Sequence, residues 1–390
     1  MAEFRNSILL FVMASYLFSG ISCSEEKQNN TNTKYHFFVG TYTQKEGHVD
    51  GKGKGIYDIT LDIENKKMTI NGIIQDLINP SFLCQIDSFN LLAVNEISPN
   101  PQNYPGRISR IELNKDSTYR KAQEAGTYGN APCHITYSKE AGMYAVTNYL
   151  GGQLVFGSIT PKGELANDLS QLTFTGKGTH PRQEASHLHQ ALFTADGGRL
   201  LVSDLGSDKI YVLQVDKSTK KIEPIPVFEF SLSPGSGPRH MCWGSQKDQL
   251  FIVEELANRV TYCQYDTING NITAMNSVSI LSGTNAASNT GADIHLSPAG
   301  NSIFVSSRGE NNIVMIPFES GKLGSPQFVS SQGKTPRNFT FTKDGKYLLV
   351  ANQDSGNIVI YENNGNGKVK ALFEVEIPSP VCLVEKYSTI

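Results

Sequence analysis

"HQALFTADGGRLLVSDLGSDKIYVLQV" runs from His189 to Val215. An apolar stretch, His189–Thr194, meets the polar turn "ADGG". A second apolar run, "LLVSDLG", leads after a short polar break to a third, "KIYVLQV". Short apolar runs joined by tight Gly- and Asp-bearing turns read as antiparallel hairpins. One such unit is not a fold. Its recurrence is what decides the architecture.

The middle run recurs as "FFVGTYT", "LLAVNEI", "MYAVTNY", "LLVSDLG", "LFIVEEL", "IFVSSRG" and "LLVANQD". Its valines are Val39, Val94, Val146, Val202, Val253, Val305 and Val350, spaced close to 52 residues apart. A preceding strand recurs as "HITYS", "RHMCWG", "DIHLS" and "RNFTFT". A following one recurs as "QLVFGSI", "RVTYCQY", "NIVMIPF" and "NIVIYEN". A weaker fourth strand closes each unit. Seven units of four antiparallel strands predict an all-β, seven-bladed propeller. The spacing exceeds that of WD40 units, no unit carries a Trp-Asp pair, and paired glycines do not recur at one position as in kelch repeats. The first unit lacks its innermost strand, and "PSPVCLVEKY" (Pro378 to Tyr387) resembles "NPSFLCQID" (Asn79 to Asp87), which opens the next. The last strand is therefore expected beside the first, closing the ring and removing free edges. A closed ring implies a monomer.

Composition agrees with an ordered globular chain: 390 residues, 39% hydrophobic, formal net charge −3. That near balance argues against a nucleic-acid partner. Residues 1–22 read as a signal peptide: Arg5 is a basic n-region and Ser7–Phe18 an h-region too short to span a bilayer. Small residues before Cys23, then a polar run, resemble a bacterial lipobox, so Cys23 is the expected lipidation site, 23–34 a flexible tether and 35–390 the propeller domain. The expected protein is exported and touches a membrane only through its lipid, in the periplasm or at the outer membrane or cell surface. The remaining cysteines (84, 133, 242, 263, 382) have no metal-ligand spacing and read as small buried hydrophobes. No metal or cofactor is expected.

In an up-and-down blade the start of the innermost strand and the end of the second share one rim. The first set includes Ser81, Cys133, His134, His187, His189, Arg239, His240, Asp293 and Arg337. The second is Glu96, Asn148, Asp204, Glu255, Arg308 and Asn352. "GPRH" (Gly237 to His240) is thus one blade's share of a mouth rich in Arg and His. Polar residues at strand ends also cap turns and brace blades, so individual members have a structural alternative. The widened hairpins at Gln44–Gly55 and Ser98–Gly106 lie on the same rim, placed to lid the mouth. "GKGKG" within the first is no phosphate loop, since no helix follows it.

Read in order, "GTYT" (Gly40 to Thr43), "SHLH" (Ser186 to His189), "DLGSDKI" (Asp204 to Ile210), "GPRH", "EEL" (Glu254 to Leu256), "SSRG" (Ser306 to Gly309), "TPRNFT" (Thr335 to Thr340) and "VANQDS" (Val350 to Ser355) resemble the seven-bladed lactonase family. That family holds the propeller-type 6-phosphogluconolactonases and the fungal carboxy-muconate cyclases. Leu188 and Ser307 depart from the family's S-H-P-H and N-R-G. The resemblance implies metal-independent opening of a small anionic sugar lactone. Ester opening needs an activated water and a stabilised oxyanion. His189 or His187 is the expected base, Glu255 its orienter or a base itself, and Arg239 and Arg308 the groups that polarise the carbonyl and hold an acid. Arg337, His240, Asp204, Asn148 and Asn352 are expected substrate contacts. No G-x-S-x-G elbow occurs, which argues against an acyl-enzyme. Two alternatives remain open: a lactone-forming cyclase of the muconate type, and a non-catalytic propeller binding an acidic sugar or a partner protein.

Overall fold

The computed structural model describes residues 33–387, apart from 48, 99–105, 115–117, 284–287 and 366. The signal segment, Cys23 and most of the tether lie outside the described residues, as does most of the hairpin at Ser98–Gly106.

Among the described residues, seven antiparallel sheets of four or five strands follow one another along the chain, and Lys45–Glu46 pairs with Val49–Asp50 in a separate two-stranded hairpin. In the fourth, Leu188–Phe193, Arg199–Asp204, Lys209–Asp216 and Phe228–Ser231 pair in that order. The turn between its first two strands is held by Asp196, whose Oδ1 accepts from Thr194 Oγ1 and Gly198 N. Gly197 sits there at φ +65°, and an added Cβ would come within 2.8 Å of Ala141 N. Glycine alone meets both demands. The other blades repeat this plan. The first sheet draws its innermost strand, Pro380–Glu385, from the end of the chain and pairs it with Lys34–Thr41, with Val39 opposite Leu383. The predicted closure is present.

The first strand of each blade touches the first strand of the next, and the cycle closes from Phe82–Gln85 back to Pro380–Glu385. These strands line the axis. Between blades lie seven apolar clusters, one per interface: Phe37, Ile59 and Ile358 between the first and last blades, for example, and Ala145, Leu200 and Tyr211 between the third and fourth. Both faces of a blade are covered. That is why its inner strands read as continuous apolar runs rather than as alternation. The five cysteines of this region are free; Cys133, Cys263 and Cys382 are buried, and Cys84 and Cys242 half-buried.

Two features of register aim side chains into the mouth. The first strand carries a bulge near its start in six blades. The residues lifted out of the ladder are Val381, Cys133, His189, Arg239 with His240, Ala292 with Asp293, and Arg337. A bulge bends its strand and turns the extra residue away from the sheet, here towards the axis. In the second strand, the residues paired across from Pro132, Leu188, Pro238, Gly291, Pro336 and Pro380 are Asn148, Asp204, Glu254, Ser307, Asn352 and Thr41. Side chains alternate along a strand, so each of these points into the wall and the next residue points to the mouth.

Candidate active site

A cavity of about 520 Å³ opens at that mouth, lined by Glu96, Cys133, Tyr149, Arg182, His189, Arg239, Glu255, Thr290, Arg308 and Arg337. Four guanidiniums face two carboxylates, a net charge of +2. Glu255 is the hub. Its Oε1 lies 2.7 Å from Arg182 Nη1, and its Oε2 lies 3.0 Å from Arg239 Nε and 3.1 Å from Arg308 Nη2. Burial alone would raise this carboxyl's pKa. Arg308, Arg182 and Arg239 outweigh it and hold the group well below the usual carboxylate range. A carboxylate so held stays ionised near neutral pH, and among the described residues its ion pairs are with arginines. The contacts of Glu255 are those of an anchor that holds three guanidiniums in place, rather than those expected of a base or His-orienter.

The arginines are further fixed by backbone. Arg239 Nη1 donates to Ala292 O at 2.7 Å, and Arg308 Nη2 to Gly291 O at 2.8 Å. Burial and Arg308 draw Arg239's pKa down, to about 9, so it stays charged at neutral pH. Arg337 lies over the ring of Tyr42, 5.4 Å from its centroid, and Tyr42 in turn donates to Glu96 Oε2 at 2.9 Å. His189 is buried; burial first, then Arg239 and His240, push its pKa well below the usual histidine value, so it presents a neutral imidazole. Burial pushes the Cys133 thiol up to about 12, which leaves a protonated, unreactive sulfur.

The structure brings together five of the expected site residues, His189, Arg239, Glu255, Arg308 and Arg337, and separates the others. His187 is a strut. Its Nδ1 meets Tyr149 O at 2.8 Å, its Nε2 meets Glu184 Oε1 at 3.2 Å, and its ring stacks under Tyr149 at 4.6 Å. Asp204 accepts from Ser186 Oγ, His187 N, Gly206 N and Ser207 Oγ, and is fully buried. It ties the connection entering the fourth blade. Asn148 donates to Thr127 O and Asn352 to Ser331 O, both fully buried. These three brace the wall and do not line the cavity. The hairpin at Gln44–Gly55 folds against its own blade, with Val49 packed on Tyr42 and Val381, and among the described residues none of it lines the cavity. His240 lies deeper, at a second small cavity beneath the first.

Three lining residues escape a strand-end reading. Arg182 comes from the connection between Thr173 and Leu188, the longest between blades, and Gln183 anchors it by donating to Leu205 O and Asp208 Oδ1. The length of that connection is the one signal in the sequence. Tyr149 sits one residue beyond Asn148, and Thr290 three residues before Asp293.

The chain matches the family described as "Lactonase, 7-bladed beta-propeller" over residues 36–385. It is 29% identical over 361 residues to a protein of Bacillus subtilis named 6-phosphogluconolactonase, covering 90% of this chain and 98% of that one. Among solved structures it resembles a putative 6-phosphogluconolactonase of Bacteroides fragilis, with TM-score 0.80, 28% identity, and 91% and 99% of the two chains covered. The fold also matches a periplasmic gluconolactonase of Pseudomonas aeruginosa, with TM-score 0.82, 24% identity and coverage of 91% and 99%.

Proposed function

The chain belongs to the seven-bladed β-propeller lactonase family, and from that premise we propose that it hydrolyses a sugar lactone bearing an acidic group. The observation that carries this reading is the arginine-ringed cavity: a net positive pocket of about 520 Å³, open at the mouth, is of a size and charge that suit a small anionic ring. In this proposal a lactone carbonyl lies against Arg239 and Arg308. The negative charge that grows on its oxygen as water attacks is met by guanidiniums already oriented by Glu255, Ala292 O and Gly291 O. Such preorganised charge is worth more in a buried site than in water. Arg337 and Arg182 are placed for the acidic substituent, where a planar fork pairs well with carboxylate or phosphate. His189 accepts a hydrogen bond from a substrate hydroxyl or from water, as a neutral imidazole can. The water's proton goes to a buried histidine of the floor.

The N-terminal pattern supports an exported protein anchored at Cys23, and that setting favours a sugar lactone whose acidic group is a free carboxylate over a cytoplasmic sugar phosphate. Two experiments test the reading. Opening of gluconolactone and of its 6-phosphate by the purified protein is compared with spontaneous hydrolysis and with a His189→Ala, Arg239→Ala double variant. Acceleration on at least one lactone, lost in the variant, is expected; no acceleration on any acidic or neutral sugar lactone refutes it. Replacing Cys23 with Ala is expected to abolish incorporation of labelled fatty acid and release the protein from membranes.

A further inference from the structure

Two buried imidazoles adjoin the cavity, and they are not equally equipped to take a proton. We infer that His240, oriented by Asp293, is the general base of the lactone-opening reaction, and that it acts on a single water seated beneath the cavity floor between His240 Nε2 and Ser81 Oγ. The inference rests on the lactonase reading and names the residue that performs its proton transfer.

A base must be held in one tautomer and aimed at its proton. His240 Nδ1 lies 2.8 Å from Asp293 Oδ1. Asp293 is fixed on every side: Oδ1 accepts from Ile294 N, and Oδ2 from Asn338 Nδ2 at 2.6 Å and from His295 Nε2 at 3.0 Å. Burial would raise its pKa, but His295 and His240 hold it well below the carboxylate range, so it is an acceptor only. The proton of the neutral His240 ring therefore sits on Nδ1, and Nε2 carries the lone pair. That Nε2 is buried with no hydrogen-bond partner among the described residues, and so is Ser81 Oγ. Both residues line one small cavity with Glu96, Arg239, Arg337 and Asn338, and the space open to the centre of a water there is about 10 Å³. This suits one water with several polar partners and excludes a substrate. The cavity shares Glu96, Cys133, Arg239 and Arg337 with the main one above it, so its water lies under a bound lactone. His189 has no such support. Its Nδ1 is buried without a partner among the described residues, no described carboxylate or carbonyl sets its tautomer, and the rings beside it are Tyr149 at 5.8 Å and His240 at 5.1 Å.

The step balances. As the water oxygen bonds to the lactone carbonyl carbon, one of its protons passes to His240 Nε2 and the carbonyl electron pair moves onto oxygen, facing the guanidiniums. When the intermediate collapses, the bond to the ring oxygen breaks and that oxygen takes the proton back from His240. The product is the open hydroxy acid, which loses its carboxyl proton to solvent. The charged and titratable groups facing His240 are Asp293 (and through it His295), Arg239, His134 and His189, with Glu96 and Arg337 across the small cavity.

The test compares His240→Gln, Asp293→Asn, Ser81→Ala and His189→Gln in the full chain, by gluconolactone hydrolysis across pH with thermal unfolding as a control for folding. His240→Gln is expected to lower kcat by about 100-fold or more, with KM changed by less than about threefold. Asp293→Asn is expected to lower kcat and flatten the acid limb, Ser81→Ala to lower kcat by roughly tenfold, and His189→Gln to act mainly on KM. A folded His189→Gln that loses kcat, beside His240→Gln and Ser81→Ala that keep it, overturns the inference and leaves the lactonase reading standing. Nitrogen-15 NMR of the wild-type histidines decides the case where the buried variants do not fold: a proton on Nδ1 of His240 is required, and one on Nε2 overturns the assignment. If the wild-type opens no lactone, the lactonase reading fails and the base role falls with it, while the NMR signal still reports whether Asp293 orients His240.

Discussion

Replacing Glu255 with Gln keeps the shape of the hub and removes its charge. Three guanidiniums, those of Arg182, Arg239 and Arg308, then face one another without a counter-ion. Removing one partner of a buried ion pair costs about 3–5 kcal/mol. Arg182, whose side chain is 45% exposed, keeps part of its hydration, which favours the lower end. A propeller of about 350 residues has an unfolding entropy near 0.7 kcal/mol/K, so about 3 kcal/mol lowers the midpoint by roughly 4 °C. The assay is thermal unfolding of both proteins, with and without sulfate, between pH 8 and 5. In the folded state this carboxyl's pKa is depressed. Its stabilisation is therefore complete above the unfolded glutamate value of about 4.3, and is lost only as pH falls through the lower folded value. The gap between wild-type and Glu255→Gln should stay constant from pH 8 to 5. The variant's cavity carries one more net positive charge, so sulfate should raise its midpoint more than the wild-type's, following the usual binding linkage. A variant as stable as wild-type, or a gap that closes between pH 7 and 5, would refute the hub.

Arg308→Met is expected to cut kcat/KM by about 100-fold, with unfolding little changed because Glu255 keeps Arg182 and Arg239; an unchanged kcat/KM for every lactone the wild-type opens removes Arg308 from the oxyanion's surroundings. Turnover should be level from pH 8 down to below 6, with an acid limb near pH 4, because burial and Arg239 draw His240's pKa down to about 4 and a base loses activity as pH falls through its folded value. A limb at about 6.5, the value of an unperturbed histidine, would point to a solvent-exposed base instead. Asp204→Ala leaves buried donors from Ser186, Ser207, His187 and Gly206 without their acceptor, which should cost about 1–3 kcal/mol while KM at the permissive temperature stays close to wild-type. A raised KM with unchanged stability would restore Asp204 to the substrate.

The propeller was legible because its physics is repetitive. Each inner strand is covered on both faces, so it is apolar throughout, and each turn needs the same Gly and Asp chemistry. Even closure showed in the likeness of "PSPVCLVEKY" to "NPSFLCQID". The mouth was harder, for a reason that lies in single residues. Val94 and Val253 look like Val202, yet their ladders match Ser203: Val94 faces Ile108 and Val253 faces Val260, as Ser203 faces Ile210. Counting two residues on from each valine therefore lands on the mouth in those blades, at Glu96 and Glu255, and in the wall elsewhere, at Asn148, Asp204 and Asn352. A strand has period two, so a one-residue slip exchanges its faces. The apolar runs cannot reveal the slip, because with both faces buried a valine fits either side. What distinguishes the positions is the partner across the first strand, and a bulge interrupts the pairing at that point. The same bulge turns His189 and Arg337 to the axis and, in the fifth blade, frees two consecutive residues. Arg239 goes to Glu255 in the main cavity and His240 goes to Asp293 below it. The two cationic groups of "GPRH" thus serve two tiers of one site, and only the doubled bulge separates them.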